Sequence, residues 1–426
     1  MKTFSEYINI AKSISIRESG VPQYTLFPKD KDELSQMIED EINKQGLAAD
    51  LNHIDVSKIE DLSELFLFSN FSGDISRWDV SNAKNMRNMF EYSCFNSDIS
   101  DWDVSNVTDM SSMFHMAKSF NQDLSGWDVS SVANMNGMFC GAESFNSDIS
   151  TWDVRNVVNM SEMFSMSHFN GKLKSWNVKN VTDMSEMFER NGSFNQDISR
   201  WNVSNVTNMS RMFYRASEFN QDISRWDVSK VENMSNMFNG CKSFDQDLSQ
   251  WNTKNVDLMD GLFRDCESFN SDLSGWDVSN VVNMEFMFFN TKFNRDLGKW
   301  DTKNVDNMGH MFCDNKVFDQ DISSWNVSKV RNMEYMFYGC EDFNSDISSW
   351  DVSNVLYMAS MFQGCKSFNQ NISSWKVDKV KYMGFMFNGC ISFNQDISSW
   401  NVSNVTNKLN MFDGCMCPEE YRPKFV

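Results

Sequence analysis

Proline is scarce in this chain, at 4 of 426 residues, and glycine numbers only 18. So little of either rules out collagen-like or polyproline architecture, and also the glycine-rich nonapeptides of calcium-binding β-rolls. Positive charge is short as well: 38 Lys and Arg stand against 59 Asp and Glu, for a net charge of −21. That sign is wrong for a surface that gathers nucleic-acid phosphate or anionic lipid. No apolar run approaches the about 18 residues of a membrane span. The segment from Met1 to Pro22 lacks the uninterrupted apolar stretch of a secretory signal. A phosphate loop, a Cys-x-x-Cys pair and a His-Glu-x-x-His helix are missing, and His53, His115, His168 and His310 lie far apart.

Large apolar side chains, by contrast, are plentiful: 36 Phe, 31 Met and 14 Trp exclude a disordered polymer. Every tryptophan belongs to one internal repeat. They stand at Trp78, Trp102, Trp127, Trp152, Trp176, Trp201, Trp226, Trp251, Trp276, Trp300, Trp325, Trp350, Trp375 and Trp400, 25 residues apart except for three intervals of 24. Each short interval loses its residue between two phenylalanines (Phe90 to Phe95, Phe164 to Phe169, Phe288 to Phe293), which marks that place as a loop.

Alignment of the copies separates inside from outside. Phe stands seven before and twelve after every Trp, and Ile or Leu three before it. Val or Thr stands two after it, and Val five after it except at Ala83. Met fills the positions eight and eleven after, except at Lys408 and Leu262. These columns are the expected core, with the methionines filling gaps beside aromatic rings. The run from that Val through both Met, the Phe and the small residue fifteen after Trp has apolar positions at i, i+3, i+6, i+7 and i+10, which predicts a short helix. Ile-x-x-Trp-x-Val predicts one short strand. The expected fold is therefore a repeat solenoid with one short parallel β-strand and one short helix per 25 residues. No unit can hide its own apolar face, so burial comes from neighbours and the ends need caps. About fifteen coils at about 4.8 Å each make a rod or arc roughly 70 Å long.

Three regions follow. Residues 1–49 read as a leader and capping helix, the helix running from Asp30 to Gln45 with Leu34, Met37, Ile38 and Ile42 on its apolar side and Gly46 ending it. Residues 50–416 read as the solenoid, its first unit degenerate with Ile54 in the Trp place. Residues 417–426 read as a C-terminal cap.

Four residues before Trp stands Asp in most copies, with Asp197, Asp222, Asp247, Asp272, Asp296, Asp321 and Asp346 in an unbroken run. Stacked carboxylates about 5 Å apart repel by roughly 0.8 kcal/mol per pair in water, so something offsets them. Turn-building by Asx hydrogen bonds is one answer, and a calcium ladder another. Asn six before Trp has the pattern of an asparagine ladder, as at Asn195 and Asn220, and Ser three after Trp is placed to cap the expected helix. Six of ten cysteines (Cys241, Cys266, Cys340, Cys365, Cys390, Cys415) share a column fifteen after Trp with alanines, the mark of a tight slot for free thiols.

The unit Phe-Asn-x-Asp-Ile-Ser-x-Trp-Asp-Val-Ser-Asn-Val-Thr-x-Met-x-x-Met-Phe-x-x-Cys is similar to that of BspA-like leucine-rich repeat surface proteins, over roughly residues 50 to 416. That resemblance implies a leucine-rich-repeat-like right-handed coil, capped at both ends, and, for some members, adhesion to host proteins or other cells. The chain departs from surface members in showing no signal peptide, lipoprotein cysteine or wall anchor. The leader Met1-Lys-Thr-Phe-Ser-Glu-Tyr-Ile8 resembles the head-targeting peptides of T-even-type phages, and Ile16-Arg17-Glu18 their prohead protease site. An ordinary capping or fraying helix reads the same residues. The expected location is cytoplasmic or virion-associated, with the cell surface implied by the family alone.

No nucleophile, base and orienter assemble in the pattern, so no catalytic residue, resident metal or cofactor is expected beyond the calcium alternative. Information about partners falls to solvent-facing positions that vary between copies. These are the residue after Trp, interrupted by Lys376, and the loop after Met-Phe, with Glu189-Arg190, Tyr214-Arg215, Lys242 and Tyr338-Gly339. The expected function is a recognition or adhesion scaffold for a protein or glycan, with no nucleic acid and no membrane insertion. A packaged or displayed virion component is the alternative.

Overall fold

The computed structural model describes residues 24–425, so the leader motifs between Met1 and Ser19 lie outside the described residues. The chain winds into a solenoid in which like positions of successive repeats stack. A column of parallel bridges seven after Trp joins each coil to the next, Asp61 to Asn85, Asn85 to Asp109, Asp109 to Asn134 and so on to Tyr382 and Asn407, and at the first end Leu26 also bridges Ile54 and Asp50 bridges Asp74. The core runs through it without a break, with all fourteen tryptophans only 2–4% exposed and the stacked Met and Phe columns buried up to the last coil, where Phe412 is half-buried.

α1 (Lys31–Gln45) closes the first end. Asp30 accepts the Glu33 N–H at 2.9 Å, Lys29 N–H reaches back to Glu33 at 2.7 Å, and Gly46, at φ 88°, returns its N–H to the Ile42 carbonyl. The Asp30 N-cap and the glycine stop fix the two helix ends. Leu34 and Ile38 are buried in the same core as Leu51 and Ile54 of the first coil. At the far end the chain folds back through a 3-10 turn at Glu419–Tyr421, where Ile397 N–H bonds the Tyr421 carbonyl and Arg422 lies over Phe412. That tail leaves part of the last coil open, with Leu409 and Met416 exposed.

Within the coils the expected strand and helix do not form; α1 and the single 3-10 turn are the helical elements among the described residues. Around the Trp the backbone makes two tight turns instead, as Trp226 N–H bonds the Ile223 carbonyl and Val231 N–H the Val228 carbonyl. Asp or Asn just before each turn forces this by capping the N–H two residues on, as Asp222 does to Ser224 and Asp227 to Ser229. The residue after Trp is thus a turn-builder rather than a free recognition position, and the Ser two further on caps no helix.

The Val-Met-Met-Phe run is a ribbon of overlapping turns. Backbone N–H groups of Met110, Ser112, Phe114 and Met116 donate to carbonyls of the next coil, while those of Met113, His115 and Ala117 donate three residues back. Positive φ recurs at two columns, ten and fourteen after Trp, and all 22 non-glycine residues with positive φ fall in them or in their equivalents Glu64 and Phe68 of the first coil. A helix cannot contain such residues, each of which costs on the order of 1–2 kcal/mol. The stack offsets that by receiving every second N–H of the ribbon on the neighbouring coil. An apolar spacing of 3, 3, 1, 3 suits this ribbon as well as it suits a helix face.

Two contacts lock the register. Every indole Nε1–H donates to the carbonyl three residues before the Trp of the previous coil, as in Trp226 to Ile198 at 3.2 Å and Trp276 to Leu248 at 2.9 Å. The Phe twelve after Trp stacks on its counterpart in the next coil from Phe66 to Phe412, as in Phe66 to Phe90 at 5.4 Å and Phe387 to Phe412 at 5.6 Å. It also packs on the Phe that opens the next unit, 3.8 Å away for Phe213 and Phe219. Replacing Trp226 with Ala is expected to cost about 3–5 kcal/mol through cavity and lost bond. Hydrogen exchange should loosen first in the flanking coils, and unchanged urea unfolding would contradict the burial.

Candidate functional site

The Asp column is spent on local turns. Asp222 Oδ1 accepts Ser224 N–H at 3.0 Å, Asp272 that of Ser274 at 2.9 Å, and Asp296 that of Gly298 at 2.8 Å; Asp197, Asp247, Asp321 and Asp346 repeat the pattern. The serine N–H and hydroxyl hold the carboxyls of Asp222, Asp272, Asp321 and Asp346 below the usual range, with the charge of the adjacent Asp opposing this at Asp222 and Asp346. Asp197 is lowered further, to about 2, by Lys174 first and Ser199 second. Among the described residues no three His, Cys, Asp or Glu side chains converge as a metal group. Each of these carboxylates thus closes an Asx turn with the residue two further on. Asp222→Asn should keep the turn, as Asn371 does with Ser373. Its melting midpoint, with calcium or with a chelator, should match wild type, and a calcium-dependent rise lost in the variant would overturn the turn assignment.

The Asn column bonds from coil to coil: Asn195 Oδ1 accepts Asn220 N–H at 3.0 Å and Asn220 that of Asp245 at 3.1 Å, and Asp245 continues the ladder to Asn270. A second ladder was not anticipated. Asn four after Trp donates Nδ2–H to the carbonyl of the previous coil's position three after Trp, as Asn205 does to Lys179 at 2.8 Å. All ten cysteines are free, and Cys241, Cys266, Cys340, Cys365 and Cys390 of the column each donate to a phenylalanine carbonyl of the previous coil, as Cys241 to Phe213 at 2.9 Å. Burial pushes these thiols far above their ordinary value, which leaves them inert.

Once these columns are assigned, variation is left at the residue before Trp, at the residue six after it, and on the turn ribbon at nine, ten, thirteen and fourteen after Trp, where side chains of successive coils cluster. The loop after Met-Phe, singled out from sequence, is its second half. The column ten after Trp escaped sequence reasoning, because it was assigned to a helix. Three chemically distinct zones follow along the ribbon.

In the first, Phe68 stacks on Tyr92 at 5.1 Å, Tyr92 meets His115 edge-on, and His115 Nδ1 lies 2.8 Å from Glu91. Phe68 and Tyr92 are exposed. In the second, Arg211 reaches the buried Glu189 at 2.8 Å, and the guanidinium groups of Arg211 and Arg215 lie 4.7 and 5.2 Å from the Tyr214 ring centroid. Burial and the adjoining Glu186 carboxyl push Glu189 up, against the pull of Arg211 and Arg190. In the third, Arg264 lies over Phe286 and Phe289, and Phe286, His310 and Tyr335 stack at 4.3 and 4.6 Å.

Burial and Arg264 lower the His310 pKa to about 4, so its ring is neutral at pH 7. The unfolded imidazole takes its proton near 6.5. Between pH 6.5 and about 4 the unfolded state therefore binds more protons, and stability falls as pH falls. Melting curves of His310→Phe, a residue already used in this column at Phe286 and Phe385, should show a shallower loss across that window than wild type.

A tandem repeat solenoid whose coils are held by backbone ladders and by stacked Trp and Phe defines the class. The chain belongs to the family described as "Mycoplasma protein of unknown function, DUF285", matched at residues 32–151, 143–232, 220–320, 279–359 and 345–420. No curated protein matches the sequence. Among solved structures, a leucine-rich repeat protein from Bacteroides ovatus is similar at 12% identity and TM-score 0.36, covering 83% of this chain and 87% of that one. One from Eubacterium ventriosum is similar at 14% identity and TM-score 0.37, covering 78% and 84%.

Proposed function

We propose that the protein is a non-enzymatic recognition scaffold that binds a protein partner along the turn ribbon. One observation carries this: among the columns not consumed by core, turns and ladders, the turn ribbon is the one along which residues that differ from coil to coil assemble repeatedly into side-chain clusters of rings and charges. That ribbon holds arginines over aromatic rings, at Tyr214 and at Phe286 and Phe289. Tyr and Arg are the residue types that anchor protein interfaces, and a solenoid presents them over a wide footprint. The acidic balance of the chain favours a basic partner surface. Adhesion, as in BspA-like proteins, is one use of such a scaffold.

Arrays of immobilised proteins and of glycans provide the test. A partner bound by wild type should lose at least about tenfold in affinity for Tyr214→Ala/Phe286→Ala/Tyr335→Ala. It should hold for Arg225→Ala/Lys299→Ala, which removes exposed side chains beside the tryptophans, away from the ribbon. Equal binding by the ribbon variant, or loss in the second variant alone, would reject the reading.

A further inference from the structure

The column six after Trp changes sign along the solenoid. It carries Glu232, Asp257, Val282 and Asp306, then Arg331, Leu356 and Lys381. Two residues earlier, Lys329 and Lys379 replace the asparagine that Asn255, Asn280, Asn304, Asn354 and Asn404 use to donate to the previous coil. Each lysine forgoes that bond and leans one coil back, Lys329 Nζ to Asn304 Oδ1 at 2.7 Å and Lys379 Nζ to Asn354 Oδ1 at 2.6 Å. Seven after Trp the same stretch gives up a second structural contact. Asn307, Asn332 and Asn407 cap the N–H two residues on, whereas Tyr357 and Tyr382 instead stack on each other at 5.5 Å, with Tyr382 39% exposed. A cleft of about 420 Å³ opens here, lined by Asp306, Lys329, Arg331, Asn354, Leu356 and Lys379. Lys329, Arg331, Lys379 and Lys381 are exposed, and among the described residues none of the four makes an ion pair. Gathering like charges where other coils keep bonding asparagines costs the fold Coulomb energy and a ladder bond.

We propose that this cleft binds an acidic, proline-containing segment of a partner protein in polyproline II conformation, lying along the solenoid axis with its carboxylates three residues apart. The site precedes the turn ribbon in each coil and does not depend on the ribbon's role. Spacing selects the ligand. Backbone bonds join consecutive coils at this column, Arg331 N–H to the Asp306 carbonyl at 2.8 Å, and Leu356 to Arg331 and Lys381 to Leu356 at 2.9 Å. The two ammonium groups, tethered alike to Asn304 and Asn354, therefore lie two strand spacings apart, about 9.6 Å. A polyproline II helix repeats its face every three residues, about 9.3 Å. One carboxylate then meets Lys329 and the next Lys379, while Arg331 stands on the coil between them with a planar fork suited to a carboxylate. A single phosphate or sulfate is too small to bond both ammonium groups at that separation. Aromatic-lined grooves take polyproline II segments, and Tyr357 and Tyr382 adjoin Leu356 and Lys381 in the chain. Asp306 closes the positive run at the Lys329 end, so the segment extends from there towards Lys381. The negative charge of the rest of the chain is screened beyond about 8 Å at physiological salt.

The test uses ligand-observed NMR on the full chain at low salt with the peptide acetyl-Glu-Pro-Pro-Glu-amide. Wild type should bind it at millimolar concentration, and Lys329→Asn/Arg331→Thr/Lys379→Asn should lose about fivefold or more, as expected for two or three exposed ion pairs. That variant should fold, since other coils hold Asn and Thr in these columns, as at Asn205 and Thr207. Its melting midpoint, measured alongside, should equal or exceed that of wild type. Lys379→Asn alone should lose about twofold or more, which keeps the test decisive if the triple variant melts early. Lys230→Asn, the same change in a coil that carries Glu232 six after Trp, should bind as wild type does. The peptides Gln-Pro-Pro-Gln and Glu-Pro-Glu should bind more weakly than Glu-Pro-Pro-Glu. No binding to wild type, undiminished binding to the triple variant, or an equal loss in Lys230→Asn would overturn the proposal. So would equal binding of the two glutamate spacings, or tighter binding of a disulfated disaccharide or a thymidine trinucleotide.

Discussion

One carbonyl per coil, three residues before the tryptophan, holds the molecule in register. It accepts two hydrogen bonds: Ile198 O receives the backbone N–H of Trp201 within its own coil and the indole N–H of Trp226 from the next. The first bond closes the turn that places the indole, and the second ties that turn to its neighbour. A slip of one residue would leave a buried carbonyl and a buried indole N–H unpaired at every step, at about 1–3 kcal/mol per group. The stacked Phe columns, the Asn ladders and the ribbon all follow from coils held in that alignment.

The sequence made the columns legible but not the backbone that carries them. Trp, Phe, Met and Ile at fixed offsets announce burial, because only stacking can cover so many large side chains in so short a unit. Their spacing does not announce conformation. Positions 3, 3, 1 and 3 apart suit a helix face and also this ribbon, and the difference lies in residues such as Ser112 and Met116, whose positive φ is held by bonds to carbonyls of another coil. A left-handed Met or Glu has no local signature. The N-terminal helix could be read closely because its signals, Asp30, Glu33 and Gly46, act within a single turn.

The shortened coils show a similar limit. Each carries Ser or Thr fifteen after Trp, and Ser167 and Thr291 donate to the carbonyls of Phe164 and Phe288 three residues back. In two cases the following coil sets an asparagine beside the missing residue. Asn191 donates to the Phe169 carbonyl at 2.9 Å and Asn315 to that of Phe293 at 2.8 Å. Sequence located the deletions correctly as a loop, but not the asparagines that mend them. Turn-building by the Asp column could be read locally, whereas the ring stack at Phe286, His310 and Tyr335 could not, since its members are a coil apart in sequence and belong to a column that seemed helical.

Because the coil-to-coil ladders join immediate neighbours, the distance between any two clusters on the ribbon is a whole number of identical steps. Gain or loss of one complete unit by unequal recombination would leave every bond type intact and move the Tyr214 cluster relative to the Phe286 cluster by one increment. Such a molecule can evolve like a ruler with movable marks, changing the separation of its contact points without redesigning any of them.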